Sequence, residues 1–150
     1  MDQVKEIEKI IYGVSSALGK PIPQGKCQII DRGVPHVPKS LPVGKMGIYT
    51  FWLDGNALKI GKAGPSSNAR FLSQHYNPKS APSTLAASIL VGNKHAADST
   101  PENVGSWIKQ HCRRIDILFD SNLGIFTLEL IEAALHYVYE PVYEGFINQR

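Results

Sequence analysis

Cysteine is scarce in this chain: there are two in 150 residues, Cys27 and Cys112, far apart and without the paired spacing of a zinc site. Their scarcity excludes a disulfide framework and a thiolate metal knuckle, and both are expected to be reduced, packed thiols. Also missing is any apolar run approaching the ~20 residues that cross a bilayer. The opening MDQVKEIEKI is charged where a secretory leader has its apolar segment. The expectation is a soluble, cytoplasmic protein with no membrane partner. No internal repeat or low-complexity tail is present, which sets aside solenoids and disordered arrays. A strong net charge is lacking too, at +3. Its distribution is uneven, however. Lys20 to Lys79 holds nine lysines and arginines against Asp31 and Asp54, a balance of +7, so the remainder carries −4. Such a stretch is the footprint of a protein that neutralises phosphates, with strongly salt-dependent binding. A lysine-rich solvated surface is the plainer alternative.

What is present suits one compact α+β domain over residues 1–150, long enough to bury a substantial core. Val4, Ile7, Ile10, Ile11, Val14 and Leu18 recur at helical spacing from Gln3 to Leu18 and stop at Gly19. Residues 1–45 then read as this helix plus a proline-rich extended arm, with one strand-like interruption at Cys27 to Ile30. The arm is placed either around a partner or DNA, or as a cover over the core. Beyond the hairpin described next, helices are expected at Ser66 to Tyr76, Ser83 to Val91 and Asn103 to Arg114. A strand follows at Arg114 to Phe119, then caps at Asp120 to Asn122 and a helix from Leu123 to Tyr139. The last has an apolar stripe of Gly124, Leu128, Ile131, Leu135 and Val138, with Glu132 at its border. The fold implied is a small antiparallel sheet flanked by helices, with residues 77–114 inserted in a core of 46–143.

The richest segment is GIYTFWLDGNALKIGKAG, Gly47 to Gly64. Strand-like Ile48 to Leu53, the turn signal Asp54-Gly55-Asn56 and the return Leu58 to Ile60 read as a β-hairpin. Tyr49 and Lys59 are expected to face each other across it. An ammonium beside a phenol favours phenolate, which would make Tyr49 a general base near neutral pH. Gly61 and Gly64 leave the backbone open to a phosphate, with Lys62 beside it. Glu132, half-buried, calls for a partner such as Mg²⁺ or Mn²⁺; Glu129 competes for that role. His36, His95, His111 and His136 lack metal-ligand spacing and are read as structural or surface residues.

This hairpin resembles the signature of the GIY-YIG endonuclease superfamily, with Gly47-Ile48-Tyr49 as its first half and Lys59-Ile60-Gly61 where Tyr-Ile-Gly usually stands. The order of the remaining motifs agrees. Arg70, eleven residues after Lys59, matches the arginine that clamps the scissile phosphate. Glu132 matches the metal-binding glutamate, followed by Leu135, Pro141 and Tyr143. Three ordered matches are more specific than a lone tripeptide. The chain departs from the pattern at Lys59, a lysine that restriction-type members tolerate, and at Gln74, where His or Tyr is usual and His75 stands next.

The resemblance implies a metal-dependent hydrolase that cuts phosphodiesters of double-stranded DNA, most simply of the restriction type. Tyr49 takes the proton of water, Lys59 acidifies Tyr49, Arg70 holds the non-bridging oxygens and Glu132 anchors the metal. His75 adds a proton or a phosphate contact. A two-strand cut is simplest from a symmetric homodimer. Three alternatives stay open at this point: a structure-directed repair or recombination nuclease, a DNA-binding or assembly module that has lost its chemistry, and a small ligand-binding domain unrelated to nucleic acid.

Overall fold

The architecture follows from a strand pair buried on both faces. A computed structural model describes residues 2–81, 83–92 and 98–144; His95, read above as structural or surface, lies outside them. Within the described residues nine α-helices and strands follow in order: α1 (Gln3–Ala17), β1 (Cys27–Gly33), β2 (Lys45–Leu53), β3 (Asn56–Ala63), α2 (Asn68–Leu72), α3 (Leu85–Gly92), α4 (Val104–His111), β4 (Arg113–Asp120) and α5 (Ile125–Tyr139). The fold is α+β, with one antiparallel sheet in the order β1-β4-β2-β3. Among the described residues no helix is long and apolar enough to cross a membrane.

Apolar residues cover both sheet faces, which is why all of β2 but its two ends is buried instead of alternating. On one face Ile48, Trp52, Ile60, Ile115 and Ile117 meet Ile7 and Ile11 of α1 and Leu128, Ile131 and Leu135 of α5. On the other, Tyr49, Phe51 and Leu118 meet Phe71, Leu85, Ile89 and Ile108 of α2, α3 and α4. Helix α1 begins where Asp2 accepts the Val4 N–H, an N-cap that satisfies one orphan donor.

The structure corrects several boundaries. Cys27–Gly33 is a full edge strand on β4, and Ile22 joins the α1/α5 core, so the proline-rich arm is partly sheet and partly packed cover. The helix expected at Ser66 to Tyr76 breaks at Ser73 into α2 and a 3-10 turn, Gln74–Tyr76, a break that turns both His75 and Tyr76 inward. Helix α4 stops at His111 because Arg113 already pairs with Trp52 in the sheet. Residues 121–123 form a 3-10 turn without side-chain capping before α5, and Val138, 51% exposed, lies outside the buried stripe.

Candidate active site at the edge of the sheet

The hairpin register decides which side chains meet. Asp54 and Gly55 both have positive φ, 49° and 82°, the two-residue turn whose twist matches its flanking strands. Leu53 pairs with Asn56 and Trp52 with Ala57, but Phe51 pairs with Lys59, leaving Leu58 as an extra residue in a bulge. Tyr49 therefore stands opposite Gly61, not Lys59 as the sequence suggested. Because side chains alternate, the extra residue is also what brings Gly61 and Lys59 to the Tyr49 face. Without it Tyr49 would oppose Ile60, and Lys59 would point the other way. Lys62, opposite Ile48, lies on the α5 side.

Since β3 is the outer strand, the two faces meet at its edge in a cleft of about 400 Å³. Tyr49, Lys59, Gly61, Lys62, Arg70 and Glu132 all line it. Gly61 lines the cleft as expected of a glycine open to a phosphate, and it has a further reason to lack a side chain: a Cβ there would collide with the Tyr49 hydroxyl, so the glycine also accommodates the phenol ring. Gly47 does the same for α2, since a Cβ would come within 2.7 Å of the Phe71 ring.

The Tyr49 oxygen is held by two nitrogens. Arg70 Nε donates to it at 3.2 Å and His75 Nε2 lies 2.6 Å away. The Leu85 N–H donates to His75 Nδ1 at 3.1 Å, so a neutral ring carries its proton on Nε2 and must donate to Tyr49. Burial, then the charges of Lys59, Arg70 and Arg114, push the His75 pKa down to about 3, so the ring is neutral. His75, outside the cleft lining, is thus the second donor to the phenol. Burial pushes Tyr49 up to about 12 against the opposing charge of Arg70, so the resting group is a phenol. This corrects the expectation of a phenolate acidified by Lys59: the close cation is Arg70, and desolvation outweighs it.

The lysines are occupied otherwise. Lys59 Nζ lies 3.2 Å from Glu144 Oε1, and Lys62 Nζ lies 3.0 Å from Glu132 Oε1. Glu144 reaches the cleft because the chain after α5 runs along the β3 edge: Val142 and Tyr143 donate to the Ala57 and Leu58 carbonyls at 3.1 and 2.9 Å. Sequence reasoning missed Glu144, which carries no local signal, and set aside His136, which also lines the cleft. Glu129 is exposed and does not line it.

Beneath Tyr49 lies a buried polar network. Arg114, 1% exposed, donates to Asp116 at 2.7 Å, to Tyr76 Oη at 2.9 Å and to the Phe71 carbonyl at 2.6 Å. Arg32 holds the other Asp116 oxygen at 2.9 Å. Tyr76 in turn meets His36 Nε2 at 2.7 Å, whose Nδ1 faces the Cys112 carbonyl at 2.6 Å. His36 is accordingly structural, and Cys112 is a buried free thiol pushed up to about 12 by burial. Cys27, half-buried, is likewise free.

The metal-binding role that the sequence suggested falls to Glu132, which lines the cleft. Among the described residues no group of three or more His, Cys, Asp or Glu is placed to hold a metal ion. Mg²⁺, however, keeps most of its waters and takes one or two carboxylates with substrate phosphates. Glu132, with a lysine ammonium already held at one oxygen inside a polar cleft, fits that donor set. Comparison with family models, with curated proteins and with solved structures returns no match.

Proposed function

We propose that this chain is a metal-dependent DNA endonuclease of the GIY-YIG type, restriction-like in its use of Lys59. The observation that carries the reading is the convergence of Tyr49, Arg70 and Glu132, from β2, α2 and α5, on one cleft. These are the three positions that the signature resemblance singles out.

The residues divide the work as follows. Tyr49 loses its proton to solvent, and the phenolate is held by the Arg70 and His75 N–H groups, donors fixed before reaction. That oxygen then takes a proton from the attacking water as the new P–O bond forms and the bond to the leaving sugar oxygen breaks. With Nε engaged by Tyr49, Arg70 directs its other N–H groups to the non-bridging oxygens. Glu132 would hold a divalent cation, whose charge would offset that developing on the phosphate and leaving oxygen. Lys59 and Lys62 keep the two carboxylates of the cleft paired until an anionic substrate competes for them.

The same ion pairs favour a second reading, a DNA-binding module without chemistry, in which the lysines neutralise both carboxylates permanently. Plasmid incubated with protein and Mg²⁺ or Mn²⁺, against chelator and Glu132→Ala, separates the two. Discrete metal-dependent bands lost in the variant support a sequence-specific endonuclease, and nicked circles a structure-directed one. Tight binding without cleavage under any metal moves the assignment to the module.

A further inference from the structure

We infer that His136 is a second protein ligand, beside Glu132, for the divalent cation of the cleft, presenting its Nδ1. The inference rests on the reading of Glu132 as metal anchor and extends it to a residue outside the signature motifs.

Glu132 and His136 are one helical turn apart on α5, and side chains at this spacing are neighbours on one helix face. Both line the same cleft. An i, i+4 pair on a helix is also a spacing that metal-binding helices use to bring two ligands to one ion.

The hydrogen bonding of His136 fixes which nitrogen is on offer. Its Nε2 lies 2.8 Å from the Ile60 carbonyl oxygen, which can only accept, so Nε2 carries the proton. In the neutral ring Nδ1 then holds the lone pair, and among the described residues no hydrogen bond engages it. A histidine that ligates a metal commonly donates its other N–H to a backbone carbonyl, which sets tautomer and ring orientation. Ile60 belongs to β3, so the strand that carries the signature also orients the imidazole.

Mixed carboxylate and imidazole donors change metal preference. A lone carboxylate with waters suits hard Mg²⁺, whereas imidazole suits nickel, zinc and other late first-row metals, with affinity rising from Mn²⁺ to Ni²⁺. The cleft is therefore expected to bind Ni²⁺ and Mn²⁺ more tightly than Mg²⁺, with the difference residing in His136.

The test is metal binding by the full chain without DNA, using titration calorimetry with Mg²⁺, Mn²⁺ and Ni²⁺ and Mn²⁺ broadening of the imidazole NMR signals. His136→Ala should weaken Ni²⁺ and Mn²⁺ by at least the roughly tenfold that losing even an outer-shell partner costs, and Mg²⁺ by less. His136→Gln, which can still donate to the Ile60 carbonyl, should behave like His136→Ala; it and the wild-type broadening decide the matter if the alanine variant unfolds. Affinities unchanged in both variants, with no selective broadening of the His136 ring and binding lost in Glu132→Ala, would overturn this inference alone. Metal binding indifferent to Glu132→Ala would overturn the anchor, and the proposed function with it.

Discussion

A single phenol oxygen, that of Tyr49, gathers the hydrogen bonds at the cleft, and the groups around it are tightly constrained. Gly61 is the sharpest case. Gly61→Ala would drive a methyl into the Tyr49 hydroxyl, so the ring must move off Arg70 and His75. Cleavage is expected to fall to the level of Tyr49→Phe while the folded far-ultraviolet spectrum persists; gel assay with circular dichroism checks both. His75 makes a second prediction, about acid. Its pKa is about 3 in the folded chain against an ordinary 6.5, so the unfolded chain binds more protons between those values. The stability this contributes is complete above pH 6.5 and is lost progressively as pH falls toward 3. His36, lowered mainly by burial, acts with the same sign. Denaturant unfolding between neutral pH and about pH 5 should show a loss in the wild type and a smaller one in His75→Gln, the His36 share remaining. At this scale the sequence singled out Tyr49, Arg70 and Glu132 by residue type and order, and the structure brings the three to one cleft. It was not legible for Glu144 and His136, whose placement depends on how distant segments dock.

Among the elements, β4 was readable as a strand from its β-branched and aromatic run, yet the pattern does not reveal what Arg114 and Asp116 do. Both are within 1% of complete burial, and each satisfies the other inside a cluster of aromatic rings, with the Arg114 guanidinium carbon 5.0 Å from the Phe71 ring centroid. Removing one partner of a buried ion pair leaves an uncompensated charge, at a cost of about 3–5 kcal/mol. Asp116→Ala should lose stability of that order by chemical denaturation, because it strands both Arg114 and Arg32. Replacing the pair with well-packed apolar residues should cost much less. The β3 hairpin holds the matching lesson. Its turn was evident from Asp54-Gly55, but the bulge at Leu58, which sets the face of everything after it, has no sequence signature. The continuous helix expected around Arg70 was likewise overridden by the burial of two adjacent residues, His75 and Tyr76.

For the whole molecule, the charge asymmetry of the sequence largely cancels in space. Lys26 and Lys45 pair with Asp120, Arg32 with Asp116, Lys59 with Glu144 and Lys62 with Glu132, every carboxylate coming from outside the basic stretch. Lys20, Lys39, Arg70 and Lys79, all exposed, are the cations of that stretch outside the ion pairs of the described residues. Each phosphate contact contributes about −0.9 to the slope of log affinity against log salt, so these four together with Lys59 and Lys62, once the substrate has drawn them off their carboxylates, give an expected slope of roughly −5 for duplex DNA. Fluorescence anisotropy across a salt series checks it, and a slope of roughly −4 or shallower would mean that the cleft lysines stay paired, as in the binding module without chemistry. The sequence by itself determined the kinds of element and the residue types at hand: two sheet faces' worth of apolar residues, a hairpin turn, and a tyrosine, an arginine and a glutamate in signature order. Only the tertiary structure decided the side of β3 on which Lys59 and Gly61 lie, that Arg70 rather than Lys59 accompanies Tyr49, that the phenol rests protonated, and that most of the basic charge is already paired. Periodicity and residue type are local properties, whereas register, desolvation and ion pairing depend on which distant atoms arrive within a few ångströms of one another.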